Sequence, residues 1–396
     1  MNDNEREKMP LNGIRVLDLT AWQMGPVAAR MLSNLGAEVI KIEPPWGDAS
    51  RTSPQYPSVQ GQNSYFMFVN RNKKSIVLDL KSDEGVSLLK ELVKKSDVVV
   101  ENFRPGVMDR LGIGYEDLKM VSPKIIYASI SGFGQDGPYV NRPSFDIIAQ
   151  AMSGWMWLNS REPRGLNNQA PMEPSCLAGS PGDTVPGLFC ALSILAALRG
   201  RDQNGQGQRI DIAQTDALIT LSGLALTRTL YMDSTADERA KRPSERIHGV
   251  YEAKDGYIVI RIVGEKPRIS VAEALGIKPE EVHPSSEALR KLFKERTRDE
   301  ITELLAEKVP CSPVLTDEEL IEDPNVEARG MIVRRQHPLG FEYRTVATGI
   351  TFSDTKVSID SLPPGLGDDT EEILIDLGYD EKEIQRLLDA KIAYTS

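Results

Sequence analysis

From Ile14 to Ile130 the chain alternates short β-prone runs with longer segments of helical period, and this alternation constrains the fold more than any other feature. Ile14–Leu19, Glu38–Glu43, Ser75–Leu80, Asp97–Asn102 and Ile125–Ile130 each suit a strand. Between them, Pro26–Leu35 carries apolar residues at helical spacing and stops at Gly36. Asp83–Ser96 places Val86, Leu88, Leu89, Leu92 and Val93 on one face, with Lys94 and Lys95 in the last turn. Strand–helix–strand at this spacing predicts an α/β fold with a parallel sheet, because each crossover helix must return the chain to the same edge and cover a face.

Beyond Asp183 the pattern turns helical through Leu188, Leu192, Leu195 and Leu198. The spacing predicts that this helix stops in Gly200-Arg-Asp-Gln-Asn-Gly-Gln-Gly207, where three of eight residues are glycine. Arg209–Ile212 reads as a strand and Thr215–Leu230 as one helix. The polar stretch Asp233–Glu245 marks the exit from a first domain. Val250–Val263 contains Lys254-Asp255-Gly256 between two β-prone runs and predicts a hairpin. Charged helical stretches follow to Lys308, strand signals return near Met331, and Asp368–Ala393 reads as two amphipathic helices. That tail holds 9 acids and 3 bases, a solvated face rather than a partner site.

Composition excludes several classes. A net charge of −11 argues against a nucleic-acid binder that works by neutralising phosphates. The longest apolar run, Gly187–Leu198, has 12 residues, so it predicts a core helix rather than a membrane span, which takes about 20. Met1–Pro10 is almost wholly polar, which predicts a cytoplasmic protein. Cys176, Cys190 and Cys311 form no CxxC pair, and His248, His283 and His337 have no metal spacing, so neither a disulfide framework nor a metal site is expected. The chemistry must rest on carboxylates or hydroxyls.

Four segments could carry it. Gly132-Phe-Gly-Gln-Asp-Gly137 matches GxGxxG after a strand, but Pro138 and Pro143 spoil the helix start that a dinucleotide site requires; the competing reading is a close backbone approach. Asp183, in Gly182-Asp-Thr-Val-Pro-Gly187, precedes an apolar helix. It is either an N-cap or an approachable carboxylate, kept ionised by the helix dipole and able to act as a nucleophile. Glu101-Asn-Phe-Arg-Pro-Gly106 ends a strand, which places Asn102 and Phe103 where α/β sheets bind ligands, with Arg104 and Arg110 either pairing with phosphate or merely solvated. Trp22-Gln-Met-Gly-Pro26 is another strand-to-helix turn, in which Gln23 either donates to a carbonyl or carboxylate or is a surface residue.

Taken in order, these segments resemble the class III CoA-transferase family, which includes formyl-CoA transferase and carnitine-related CoA-transferases. Leu11–Thr20, Leu35–Pro44, Asn70–Lys81, Val99–Gly106, Ser129–Gly134, Phe145–Gln150, Gly182–Gly187, Gly205–Asp211 and Ala328–Met331 carry the likeness over nearly the whole chain. The resemblance implies a large Rossmann-like domain from residues 1–228 and 331–396, an inserted smaller α+β domain at 229–330, and an interlocked homodimer. It implies CoA transfer from an acyl-CoA to a small carboxylic acid, with no metal or redox cofactor. Asp183 would attack the thioester to give a mixed anhydride and then an aspartyl-CoA thioester. CoA contacts would come from Gln23, Met24, Leu78, Lys81, Asn102, Phe103 and Arg110, with Asp146 near the reacting end and the partner's small domain helping.

The chain departs from formyl-CoA transferase in three places. Pro44 stands where that enzyme has an arginine, Pro143 replaces a lysine near Asp146, and Ile247–Gly264 holds no glycine-rich lid. These differences weigh against formyl-CoA and oxalate. A racemase branch shares the fold and abstracts a proton with a histidine–aspartate pair, but this chain has no histidine between Met1 and Ile247. The remaining alternative is an acyl-CoA-binding homologue without turnover. Trp155 and Trp157, in the poorly matching stretch Trp155–Pro174, are read either as an apolar wall for the acyl group or as core.

Overall fold

A computed structural model describes residues 8–161, 173–231, 247–283, 286–355, 357, 359 and 361–395. The polar exit segment Asp233–Glu245 and much of Trp155–Pro174 therefore lie outside the described residues. The chain divides into two compact units: Met1–Trp155 with Cys176–Ser222 and Gly330–Ser396, and Met156–Ser175 with Gly223–Arg329.

The first unit is built on six parallel strands: β1 (Arg15–Leu19), β2 (Glu38–Glu43), β3 (Lys73–Leu78), β4 (Val98–Glu101), β5 (Ile126–Ser131) and β6 (Arg209–Ala213). Their order is 3-2-1-4-5-6, the arrangement of a doubly wound nucleotide-binding sheet. Ala393–Tyr394 adds a seventh, antiparallel strand outside β3. The register is regular, with Val16 beside Val39 on one side and Val98 on the other. The helices that matter here are α1 (Met24–Asn34), α2 (Ser64–Asn70), α3 (Asp83–Lys94), α4 (Asp146–Met152), α5 (Pro181–Asn204) and α6 (Gln214–Leu221).

Side chains alternate across the sheet, so each strand feeds two cores. Leu17, Ile40, Ile76 and Val99 pack on Leu88, Leu89 and Leu92 of α3, together with Leu374 and Leu387 near the C-terminus. Val16, Val39, Val98 and Ile126 pack on α1 and on Cys190, Ile194 and Ala197 of α5. Helix α3 closes as its sequence dictates: the Ser82 hydroxyl accepts from Gly85 N–H, acids occupy the first turn, and Lys94 lies in the last.

Of two helix expectations, one holds and one fails. Helix α5 stops within Gly200–Gly207 as expected: it runs past Gly200 to Asn204, and Gly205 ends it in the left-handed region at φ 74°. A single glycine costs about 1 kcal/mol within a helix, too little to end one whose apolar face is packed. The segment Thr215–Leu230 is two helices rather than one, α6 and Gly223–Tyr231, interrupted at Ser222. Helix α5 contains an 18-residue stretch of mean hydropathy 1.4, enough by length and composition to cross a membrane, yet it carries one wall of a core.

The second unit is an antiparallel sheet with helices. Ile247–Ala253 and Gly256–Ile262 form the expected hairpin, and Cys311–Val314 pairs with the latter. Ile258, Ile260 and Ile262 face its core with Val271, Leu289, Phe293 and Ile301. The cysteines are unpaired.

Candidate active site

In a 3-2-1-4-5-6 sheet the chain reverses direction between β1 and β4, and the crevice beyond their carboxyl ends receives ligands. Here that crevice is bordered by the turn Thr20–Gln23, in which side chains bind one backbone group after another. Lys41 Nζ donates to the Thr20 carbonyl at 2.7 Å. Asn102 makes a two-way clamp with Ala21: its Oδ1 accepts from the backbone N–H and its Nδ2 donates to the carbonyl, both at 2.9 Å. Asp48 Oδ1 accepts from Trp22 N–H at 3.4 Å. The clamps hold Trp22 in the left-handed region at φ 66°, an uncommon conformation for a large side chain. Gly25 is required at the turn's end, since a Cβ there would lie 2.3 Å from that of Thr20.

The clamps stand on buried charge. Lys41 pairs with Asp48 at 2.8 Å and Lys73 with Asp18 at 2.7 Å, all four side chains almost wholly buried. Burial alone would raise Asp18, but the charges of Lys73 and Lys41 outweigh it and hold the carboxylate below its usual range. Glu43, at the end of β2, receives Arg51 on both oxygens at 2.7 and 2.8 Å, Ser75 Oγ at 2.6 Å and Asp48 N–H at 3.0 Å.

Asp183 lies in the first turn of α5, half-buried. It is not the N-cap. Ser180 takes that position at φ 51°, and Pro181 and Gly182 precede Asp183 in the helix. The capping task falls to Asp146, whose Oδ1 accepts from Gly182 N–H at 2.7 Å. Gln150 Nε2 in turn donates to both oxygens of Asp146, at 3.1 and 2.9 Å. Asp183 Oδ1 instead accepts from Gln214 Nε2 at 2.7 Å, and the Oε1 of Gln214 accepts from Ser144 Oγ at 2.7 Å. Gln23 Nε2 reaches Thr184 Oγ1 at 3.1 Å, so the β1 turn ends beside the same carboxyl.

The ionisation of Asp183 corrects the sequence reading. Instead of being held ionised by the helix dipole, it is pushed up to about 7, first by burial and then by the Asp146 charge, with the Gln214 amide opposing. Tyr65 on α2 is raised as well, by burial and then by Asp183, which places its phenol within the field of that carboxyl. It stacks on Tyr56 with ring centres 4.8 Å apart.

The structure thus brings Gln23, Asp146 and Asp183 together and adds Gln214, Thr184 and Tyr65, which sequence reasoning missed. Gln214 was findable, because it is the first residue past the carboxyl end of β6. The other expected residues are placed as follows. Met24 opens α1 and is half-buried. The Leu78 side chain is 1% exposed and belongs to the core, which leaves its backbone for a ligand. Asn102 is committed to Ala21, while Phe103 beside it is exposed. Phe103 N–H donates at 2.8 Å to Glu101, a carboxyl that burial pushes up to about 7. Lys81 is exposed beside Trp46, and Arg110 is exposed over Gly106. The GxGxxG segment leads into no helix; a Cβ on Gly132 would lie 2.3 Å from that of Ser144, so its glycine serves close backbone packing. Trp157 is 43% exposed, against the core reading, and Trp155 is half-buried with its indole N–H on the Leu218 carbonyl. Among the described residues no cluster of three or more His, Cys, Asp or Glu could hold a metal.

This is an α/β protein with a nucleotide-type sheet and a shielded carboxyl beyond its strand ends. Residues 11–370 match the model of CoA-transferase family III. The chain is 33% identical to the formyl-CoA:oxalate CoA-transferase of Streptomyces avermitilis, covering 95% of this chain and 98% of that one. It is equally 33% identical to the succinyl-CoA:glutarate CoA-transferase of Homo sapiens, covering 97% and 90%. A crystal structure of a CAIB/BAIF family protein from Brucella suis superposes with a TM-score of 0.79 at 32% identity, over 93% of this chain and 99% of that one. The chain belongs to CoA-transferase family III. Its activity is therefore that of an acyl-CoA:carboxylate CoA-transferase.

Proposed function

We propose that Asp183 carries CoA between the two acids through covalent intermediates. Its carboxylate attacks the thioester carbonyl, the C–S bond breaks, and CoA thiolate leaves a mixed anhydride. The thiolate then attacks the Asp183 carboxyl carbon and expels the donor acid, giving an aspartyl-CoA thioester. The acceptor carboxylate attacks that carbon and releases the thiolate, which takes the acceptor acyl group and frees Asp183. No net proton is transferred, and anhydride and thioester are close in energy, so neither intermediate is a trap.

One observation carries this reading: Asp183 is poised near neutrality, with a single amide donor on Oδ1. Gln214 orients the carboxyl and leaves Oδ2 to attack. A carboxylate raised to about 7 is more basic than an ordinary one, hence a better nucleophile, while remaining about half ionised at pH 7. Gln23, anchored on Thr184, has a second amide N–H to offer the thioester oxygen as charge develops. In this reading Lys81 and Arg110 meet the CoA phosphates, Phe103 and Met24 meet its arm, and Asp146 positions the helix end. The named relatives act on oxalate and glutarate, so dicarboxylic acids head the acceptor screen.

The test is trapping. With a competent acyl-CoA, hydroxylamine or borohydride should modify Asp183, detected by peptide mass spectrometry. Asp183→Ala should lose transfer by several orders of magnitude yet still bind CoA. Full transfer by that variant would end the proposal.

The reading also includes a homodimer. Phe145, Ile147 and Met152 at α4, Leu188 and Leu192 on α5, and Ile219 and Leu221 on α6 are all more than 40% exposed. These three helices touch one another, so the residues supply apolar surface of the kind a partner chain covers.

A further inference from the structure

In a doubly wound sheet of this order, the carboxyl end of β2 is where the adenosine part of a dinucleotide lies, usually met by an acidic residue. Here that residue, Glu43, is fully engaged by Arg51, Ser75 and Asp48 and presents nothing outward. What the chain presents instead is Trp46. It follows Pro44 and Pro45 on a turn closed by Gly47 N–H donating to the Pro44 carbonyl at 2.8 Å, with Gly47 at φ 76°. Two prolines and a closed turn fix the backbone that carries the indole, which is 71% exposed. Lys81, just past the end of β3, lies over the ring with Nζ 5.3 Å from its centre.

We infer that Trp46 is a stacking platform for the adenine ring of CoA, with the Lys81 ammonium on the other face of the indole and within reach of the nucleotide's phosphate. A flat, electron-rich ring on a rigid turn stacks on a purine at little entropic cost, and a cation on its far side adds to the attraction. The arrangement deepens the transferase reading and rests on acyl-CoA entering at these strand ends; that reading fails separately, in the trapping experiment on Asp183.

The experiment is calorimetric titration of the wild-type chain, Trp46→Ala and Trp46→Phe with CoA and with adenosine 3′,5′-bisphosphate, which carries the nucleotide without the thiol arm. Trp46→Ala should weaken both ligands by about 5- to 100-fold, the range that one base–aromatic stack supplies. Trp46→Phe, which keeps an aromatic face, should keep most of the affinity. Circular dichroism establishes that both variants are folded. Unchanged CoA affinity in Trp46→Ala would overturn the platform. Weakened binding of adenosine 3′,5′-bisphosphate to Trp46→Ala supports it even if Asp183 proves not to be the nucleophile.

Discussion

Replacing Gln214 with leucine isolates the one contact that favours the charged form of Asp183. The Gln214 Nε2 to Asp183 Oδ1 bond is 2.7 Å long and Gln214 is 2% exposed, so no bulk water takes its place. A hydrogen bond to a charged group is worth about 1.5–3 kcal/mol, and each 1.36 kcal/mol is one pKa unit. Losing it should move Asp183 from about 7 up by about 1–2 units. The sign follows from the chemistry: the ionised form attacks, so activity rises with pH through this midpoint. At pH 7 the ionised fraction falls from about one half to between about 0.1 and 0.01, so kcat/KM should drop roughly 5- to 50-fold and recover near pH 9. The assay is kcat/KM for CoA transfer from pH 5.5 to 9.5. Reduced activity with an unmoved midpoint would mean that Gln214 merely supports structure. An unaltered profile would mean that the titrating group is not Asp183.

Two further outcomes are expected. Lys73→Met should destabilise the fold by about 3–5 kcal/mol, because it strands the buried Asp18 carboxylate; Asp18→Asn combined with Lys73→Met should recover part of the loss in urea titration, and equal losses would deny the coupling. Leu192→Glu, on the exposed face of α5, should shift the mass measured by light scattering from two chains to one, whereas a wild-type chain that is monomeric at micromolar concentration would refute the homodimer.

What the sequence made legible follows from the range of the interactions involved. Strands β1 to β5 stand out because a strand buried on both faces has to be an apolar run, and the carboxyl ends of β1 and β4 located Gln23 and Asn102, while Asp183 was marked by the apolar helix that follows it. Glycine was harder to interpret. The segment Gly200–Gly207 promised a helix end and supplied it, but which of its three glycines would end the helix was not legible; it is Gly205, the one in the left-handed region at φ 74°. The ionisation of Asp183 was out of reach of local reasoning. Its position at a helix start predicts a low pKa, while the burial and the Asp146 charge that reverse the direction come from elsewhere in the fold. Ala393–Tyr394 carries no strand signal of its own, since two residues become a strand only when an open edge is waiting for them.

That edge has a consequence in time. As the chain emerges from the ribosome, β3 is made early, but the Ala393–Tyr394 segment that pairs with it comes much later. Leu374 and Leu387, which share a core with Leu88 and Leu89, are late as well, and Arg15 waits for Asp376, 361 positions away. At about 5–20 residues per second, the β3 edge and one wall of the sheet stay open for some tens of seconds. During that interval Lys74 is the partly exposed charge on the open strand, and lysine on an exposed edge is what keeps strands of neighbouring chains from adding to it. The order of synthesis therefore sets when this protein is most vulnerable to self-association.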